Sequence, residues 1–324
     1  MVTEALAGQI LSAAEALGYD PNPIAYSLKT NRSHIVGVLI PDLTNPVFPP
    51  IIRGMEDIFN AAGYTAILAN TDNDPARERA ILRKMLSRRV DGLILATARR
   101  DDAVVEQCMA EGIPTVLINR TVDAGQVPSV VNDDALGIRL VVAHLVGLGH
   151  TRIAHIAGPL TLSTGFARRK AFTAAMKAHG LKADSRLIVA CAGFREDEGR
   201  RAFLELWARE RNFTAVVAGN DLLALGCYDA AAELGLHIPA EMSVTGYNDM
   251  PFLDKLHPPL TTLRIPHYEM GTQAAKMLLG RMQKHVLPAS SIALLPELVV
   301  RGSTAPVPAT AQPARRRTPV GAPQ

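Results

Sequence analysis

Polar and aromatic residues suited to holding a small ligand recur at one kind of position, just after a short aliphatic run. Asp42-Leu-Thr-Asn-Pro-Val-Phe48 follows the run 35–40, and Asn119-Arg120 follows 115–118. The loop from Gly158 to Arg168 follows 153–157, Phe194 follows 187–190, Asn220-Asp221 follows 215–218, and Asn248-Asp249 follows 244–247. Carboxylates accept, amides donate and accept, a planar guanidinium forks toward paired oxygens, and an aromatic face covers the apolar side of a sugar or purine ring. This is chemistry for gripping a polyhydroxylated or carboxylated molecule. Taken singly, each residue also has a plainer use: Asn45-Pro46 and Asn220-Asp221 as helix caps, Phe48 as core, Arg168 as a solvated helix residue, Asn248-Asp249 as a turn.

The chemistry of bond breaking is not spelled out. No Gly-x-Gly-x-x-Gly, Gly-x-x-x-x-Gly-Lys-Ser/Thr, His-Glu-x-x-His or Gly-x-Ser-x-Gly occurs, so the reading is of a non-enzyme with no metal and no cofactor. Cys108, Cys191 and Cys227 are isolated and odd in number, which points to small buried hydrophobes and not to a zinc site or a disulfide framework. His144 and His150 flank a helix end, where they are expected to meet the last carbonyls or the helix dipole. Trp207 reads as packing.

The elements that position the strand-end residues follow from periodicity. Aliphatic runs at 35–40, 65–69, 92–96, 115–118, 153–157, 187–190, 215–218 and 244–247 alternate with amphipathic patterns such as Ile51, Ile52, Met55, Ile58, Phe59 and Ala62. That alternation specifies an α/β fold of parallel sheets with helices on both faces, and this many units divide better into two Rossmann-like lobes than into one sheet. Ligands bind beyond the carboxyl ends of such strands, which is where the polar clusters stand. At 324 residues and 48% hydrophobic, the chain can build two cores. No apolar segment approaches the roughly 20 residues needed to span a bilayer and no secretion signal is evident, so the cytoplasm is the expected location. A formal charge of +3 is too slight to mark a nucleic-acid protein, and part of it comes from Arg315, Arg316 and Arg317.

Ahead of the first run, Leu6, Ile10 and Leu17 share a helix face that Gly18 ends, and Asn22-Pro23 caps a second helix through Lys29. A helix of about seven residues is too short to stand alone in water. This arrangement, with Ala25-Tyr-Ser-Leu-Lys-Thr30, then Ile35–Ile40, then Pro41-Asp-Leu-Thr-Asn-Pro46, resembles the LacI/GalR family of bacterial transcriptional regulators over nearly all of residues 2 to 304. The resemblance implies a partial headpiece and hinge helix at 1–33 and a periplasmic-binding-protein-like core, while the tail at 304–324, rich in Pro, Ala and Arg and without an apolar period, is expected to be disordered. The core would comprise an N-terminal lobe of 34–158 plus 264–289 and a C-terminal lobe of 159–263 plus 290–303, with crossings near Gly158, Leu263 and Ala289.

For function, the resemblance implies a repressor that senses a sugar-like effector in the interlobe cleft. The positions matching the family's effector contacts are Phe48, Asn119, Thr164, Arg168, Phe194, Asn220, Asp221 and Asn248. Leu162 is apolar where a purine-responsive relative has arginine, which favours a sugar. Tyr26, Ser27, Leu28 and Lys29 would lie against operator DNA, with Leu28 as the minor-groove wedge. The family carries two further headpiece helices before the first one here, so the major-groove reader is expected to be missing and DNA binding weak, Lys29 and Arg32 being the obvious phosphate partners. A homodimer is expected, with helices around 76–86 and 270–281 near the interface. The alternative is a headpiece-less sugar-binding protein.

Overall fold

A computed structural model describes Ala13, Ala16 and residues 32–124, 127–283 and 290–307. The hinge residues Tyr26, Ser27, Leu28 and Lys29, and the tail from 308 onward, lie outside the described residues. In chain order the core contains β1 (Ile35–Ile40), α1 (Phe48–Ala61), β2 (Thr65–Asn70), α2 (Pro75–Ser87), β3 (Gly92–Leu95), α3 (Ala103–Ala110), β4 (Thr115–Ile118), β5 (Ser129–Asn132) and α4 (Asp134–Gly147). It continues with β6 (Ile153–Ala157), α5 (Ser163–Ala178), β7 (Ile188–Ala190), α6 (Glu196–Arg209), β8 (Ala215–Ala218), α7 (Asp221–Glu233) and β9 (Ser243–Thr245). The closing elements are β10 (Thr262–Arg264), α8 (His267–Gln283), β11 (Ser291–Leu294) and β12 (Glu297–Val299).

These form two parallel sheets. The N-terminal lobe has the order β11-β5-β4-β3-β1-β2, and the C-terminal lobe has β7-β6-β8-β9. Strands β3, β4 and β8 are buried at every residue, as uninterrupted aliphatic runs require when helices cover both faces. A two-stranded antiparallel ribbon of β10 and β12 leans on the second sheet through the bridges Thr245–Thr261 and Asn248–Arg264. In each lobe one helix pair crosses so closely that only glycine fits. A Cβ at Gly271 of α8 would come 2.0 Å from the Ile51 carbonyl oxygen of α1, and one at Gly226 of α7 would come 2.1 Å from the Glu196 carbonyl oxygen of α6.

The lobe boundaries differ from the expected ones. Helix α4 follows β5 of the first sheet yet packs against α5, β8 and the ribbon, so the chain first crosses at residues 132–134 and not near Gly158. The second crossing falls between β10 and α8, since α8 lies on α1. The third falls between β11 and β12 and not at Ala289, because β11 pairs in parallel register with β5 and ties Ser291 Oγ to Ser129 Oγ at 2.9 Å. Strands β5, β10, β11 and β12 have three or four residues each and carry Ser, Asn, Arg or Glu. They lack the aliphatic run that marks the others.

Residues 304–307, expected to be disordered, are part of the fold, with Val307 N donating to the Leu148 carbonyl at 3.1 Å. Ser303 is fully buried; its Oγ donates to the Val244 carbonyl at 2.6 Å and accepts from Thr261 N at 2.7 Å. His144 and His150 serve this segment and not their helix end. His144 Nε2 meets Thr304 Oγ1 at 2.9 Å, and His150 Nε2 donates to the Ala305 carbonyl at 3.0 Å while its Nδ1 meets Thr214 Oγ1 at 2.8 Å. Burial lowers the pKa of both rings.

Candidate functional site

The carboxyl ends of both sheets face a cavity of about 510 Å³. Seven of the eight expected residues line it: Phe48 and Asn119 from the N-terminal lobe, Thr164, Arg168, Phe194, Asn220 and Asn248 from the C-terminal lobe. All but Arg168, which reaches in from the second turn of α5, sit where a strand gives way to a loop or helix start, the position at which backbone and side-chain polar groups are freed from the ladder. The polar loop residues after the strands bend through left-handed backbone, with φ of 64° at Asn119, 123° at Asn248 and 54° at Asp249, a conformation that Asn and Asp tolerate better than most residues.

On the C-terminal wall the anchor is Arg168. Its side chain is only 3% exposed. Nε donates to Asp134 Oδ1 at 2.9 Å, Nη1 donates to the Gly219 carbonyl at 2.7 Å, and the guanidinium carbon lies 3.6 Å from the centre of the Tyr247 ring. The Tyr247 hydroxyl donates to the same Asp134 oxygen at 2.7 Å. Burial alone would lower the arginine pKa, but the Asp134 carboxylate, helped by Tyr247, outweighs it and holds the group charged. Burial, with Asp134 beside it, raises the tyrosine well above its ordinary value. With Nε and Nη1 occupied, Nη2 is the amino group of Arg168 left for the cavity. Asn220 caps α7 by accepting from Leu223 N at 2.9 Å, so its capping and cavity-lining roles coexist. Phe194 closes against Gly158, where a Cβ would come 2.1 Å from the ring.

Asp221 is the expected contact that the structure moves elsewhere. It is fully buried behind Asn220, and its carboxylate accepts from Thr262 Oγ1 at 2.5 Å and Met250 N at 3.0 Å. It therefore ties α7 to the ribbon and the loop after β9, and burial pushes its pKa up to about 6 against the pull of those donors.

The N-terminal wall holds residues outside the expected set: Asp42, Asp72, Asn73, Arg99 and Arg120. Arg120 is 6% exposed, and its Nη1 donates to Asn73 Oδ1 at 3.0 Å and to the Thr97 carbonyl at 3.4 Å. Asn73 and Arg99 follow the runs 65–69 and 92–96, so the same strand-end rule applied there finds them. Asp134 and Tyr247 lie behind the cavity and have no such signal. Along one edge the lobes touch directly. Arg100 N donates to the Thr161 carbonyl at 3.0 Å, the Arg100 guanidinium lies 3.6 Å from the centre of the Phe166 ring, and Thr121 N donates to Ser163 Oγ at 2.9 Å.

Two parallel α/β lobes linked by three crossings, with a polar cavity at their facing strand ends, define a periplasmic-binding-protein-like ligand-binding core. Residues 142–304 match the family model described as a periplasmic binding protein-like domain. The chain is 33% identical to the ribose operon repressor of Escherichia coli (strain K12), covering 93% of this chain and 92% of that one. It is likewise 33% identical to the HTH-type transcriptional regulator MalR of Streptomyces coelicolor, over 92% and 88% of the two chains. Among solved structures, a LacI family transcriptional regulator from Enterococcus faecium with bound ribose superimposes with a TM-score of 0.74 at 32% identity, covering 84% of this chain and 99% of that one. The transcriptional regulator CelR in complex with cellobiose gives 0.79 at 27% identity, over 94% and 92%. The chain belongs to the LacI family of transcriptional regulators.

Proposed function

We propose that this regulator is a repressor whose grip on operator DNA is set by a small polyhydroxylated effector, of sugar type, held in the interlobe cavity. The observation that carries the reading is Arg168, buried and fixed by Asp134 and Tyr247, with an amino group left for the cavity beside Asn220, Asn248 and the Phe194 ring. A pre-oriented donor flanked by amides and one aromatic face is the usual solution for a sugar, and the relatives named for ribose or solved with ribose or cellobiose support that class. Phe48, Asn119 and Thr164 complete the proposed contacts.

The protein acts in this reading as a homodimer in the cytoplasm, because a palindromic operator requires two hinge helices related by a two-fold axis. The faces of α2 and α8 are the proposed meeting surfaces. Effector binding shifts the population between two relative lobe positions by its differential affinity for them, and the hinge segment before Ile35 feels the shift.

Titration calorimetry of the full chain against a panel of pentoses, hexoses and disaccharides tests the site. Removing the partner of a buried ligand hydroxyl costs about 1–3 kcal/mol, so Arg168→Ala is expected to weaken the ligand found by about 5- to 150-fold. Unchanged affinity in that variant removes the site. Light scattering at micromolar concentration tests the dimer, and a monomer mass overturns it.

A further inference from the structure

The cavity lining carries four arginines, Arg99, Arg120, Arg168 and Arg195, against two aspartates, Asp42 and Asp72. Most of these charges are already met. Arg168 is paired with Asp134, Arg195 with Asp197, and Asp72 with Arg77. Asp42 accepts from Thr44 N at 2.9 Å and Thr44 Oγ1 at 2.6 Å. Arg99 donates through Nη2 to the Asn73 carbonyl. Arg120 is the buried exception, since Arg99, which also meets only a neutral carbonyl, is half-buried and keeps access to solvent. Arg120 is more than nine-tenths buried, its two protein acceptors are both neutral and both taken by Nη1, and among the described residues it has no ion pair. Nη2 and Nε therefore have no protein acceptor among the described residues. These atoms are not sealed in protein, since none is among the buried polar atoms without a partner, and the residue lines the cavity.

Its surroundings make this an anion-seeking arrangement. Glu78, from α2, is the acid that compensates Arg120 electrostatically, but it makes no direct ion pair with it: its carboxylate accepts from Thr97 Oγ1, and burial raises its pKa. Arg99 and Arg168 press from two sides with like charge. Burial dominates, and even with Glu78 the Arg120 pKa is brought down to about 10. A buried guanidinium without a close partner is costly, and the deficit is repaired by a ligand that brings an anion to the unused face of its fork.

We propose that the effector carries an anionic group, a carboxylate or a phosphate, which Arg120 binds from the N-terminal wall while Arg168 and the amides hold the hydroxylated part from the C-terminal wall. This rests on the reading of the cavity as a sugar-effector site. It narrows the ligand from neutral sugars to sugar acids or sugar phosphates and makes Arg120 the residue that discriminates between them.

Calorimetry of the full chain against matched triplets is the test: ribose, ribonate and ribose 5-phosphate; glucose, gluconate and glucose 6-phosphate; with inorganic phosphate alone as a control. An acidic member is expected to bind at least tenfold more tightly than its neutral parent, and the carboxylate and phosphate arms tell the two sources apart. The preference should shrink as salt is raised. In Arg120→Gln the acid-to-neutral affinity ratio is expected to fall at least tenfold, and in Arg120→Lys, which keeps the charge and loses the fork, to fall less. A neutral parent that binds as tightly as its acids, or a ratio untouched in Arg120→Gln, overturns the inference and leaves the sugar site standing. Binding of inorganic phosphate alone as tight as that of the sugar phosphates overturns it in favour of a simple anion site. Failure of every sugar and sugar acid overturns the effector reading itself.

Discussion

On the C-terminal wall of the cavity, Arg168 is buried with its charge met by Asp134 and its face covered by Tyr247, whereas on the N-terminal wall Arg120 is buried to the same degree and meets only neutral acceptors. The charge of the first wall is met without a ligand. Asn220 caps α7, Asp221 ties α7 to the ribbon, and the loop after β9 is pinned by Asn248 N donating to the Leu263 carbonyl at 2.8 Å. Pre-organisation of that kind lowers the ordering cost when a ligand arrives. The second wall has capacity left over, and capacity left over in a buried site is a statement about what the site receives. A binding cleft can thus divide its labour, one lobe orienting the ligand and the other selecting it by charge.

The largest effect that would break this comparison lies behind the C-terminal wall. Replacing Asp134 with Ala leaves the Arg168 charge buried and unpaired and strips the Tyr247 hydroxyl of its acceptor. Removing one partner of a buried pair costs about 3–5 kcal/mol, so urea denaturation should show a loss of that order. A loss under about 1 kcal/mol would mean that the C-terminal wall is not held by its own charges.

Asp221 sharpens the comparison through pH. Its folded pKa of about 6 lies above its ordinary 3.8, so the folded state takes up a proton first, and this group adds stability as pH falls from 6 toward 4. His155 and His267 act the other way. Burial brings both down to about 4 from an ordinary 6.5, so the unfolded state takes up protons first and stability is lost as pH falls through the same window. Asp221→Asn removes the opposing contribution, and the acid loss of stability should steepen by up to about 1.4 kcal/mol per pH unit. Denaturation midpoints at pH 4, 5, 6 and 7 read it directly. An unchanged slope would show that Asp221 is already ionised throughout.

A smaller effect belongs to the edge where the lobes touch. Arg100→Ala removes the ring contact with Phe166 and the Nη1 bond to the Leu160 carbonyl at 3.3 Å but keeps the backbone bond to Thr161. Exposed cation–π contacts give about 0.5–1 kcal/mol, so effector affinity should change by only a few fold; the same substitution removes the Arg100–Asp123 ion pair within the N-terminal lobe, a partly exposed pair that contributes at most about 1 kcal/mol to that lobe's stability. A hundredfold change would make this edge, and not the two arginine walls, the determinant of closure.

How much of this was legible in the sequence divides along the same line. The alternation of aliphatic runs and amphipathic helices gave the two-lobed α/β fold, and six of the eight expected contacts came from the second lobe because its runs end directly in Asn, Asp, Phe or the loop to Arg168. The strands carrying no continuous aliphatic run, β5 and β10 to β12, stayed hidden, and with them two of the three crossings. That hid Asp134 as well, since its meaning depends on α4 belonging to the second lobe. Arg120 stood in plain view after the fourth run, yet nothing in the sequence says that its neighbours would be neutral. Asp221 illustrates the converse: an Asn-Asp pair at a helix start reads as two ligands, while helix geometry turns one side chain to the cavity and the next to the core.

The asymmetry between the walls is tested most directly by the stability of the ligand-free protein in two matched substitutions, Arg168→Met and Arg120→Met, each measured by urea denaturation at pH 7.5. Arg168→Met abandons Asp134 in a buried site and is expected to lose about 3–5 kcal/mol. Arg120→Met deletes a charge that has no direct ion pair among the described residues, though it also removes the electrostatic compensation of Glu78, and is expected to lose much less than Arg168→Met. Equal and large losses in both variants would contradict the account, because they would mean that Arg120 is as fully compensated within the protein as Arg168.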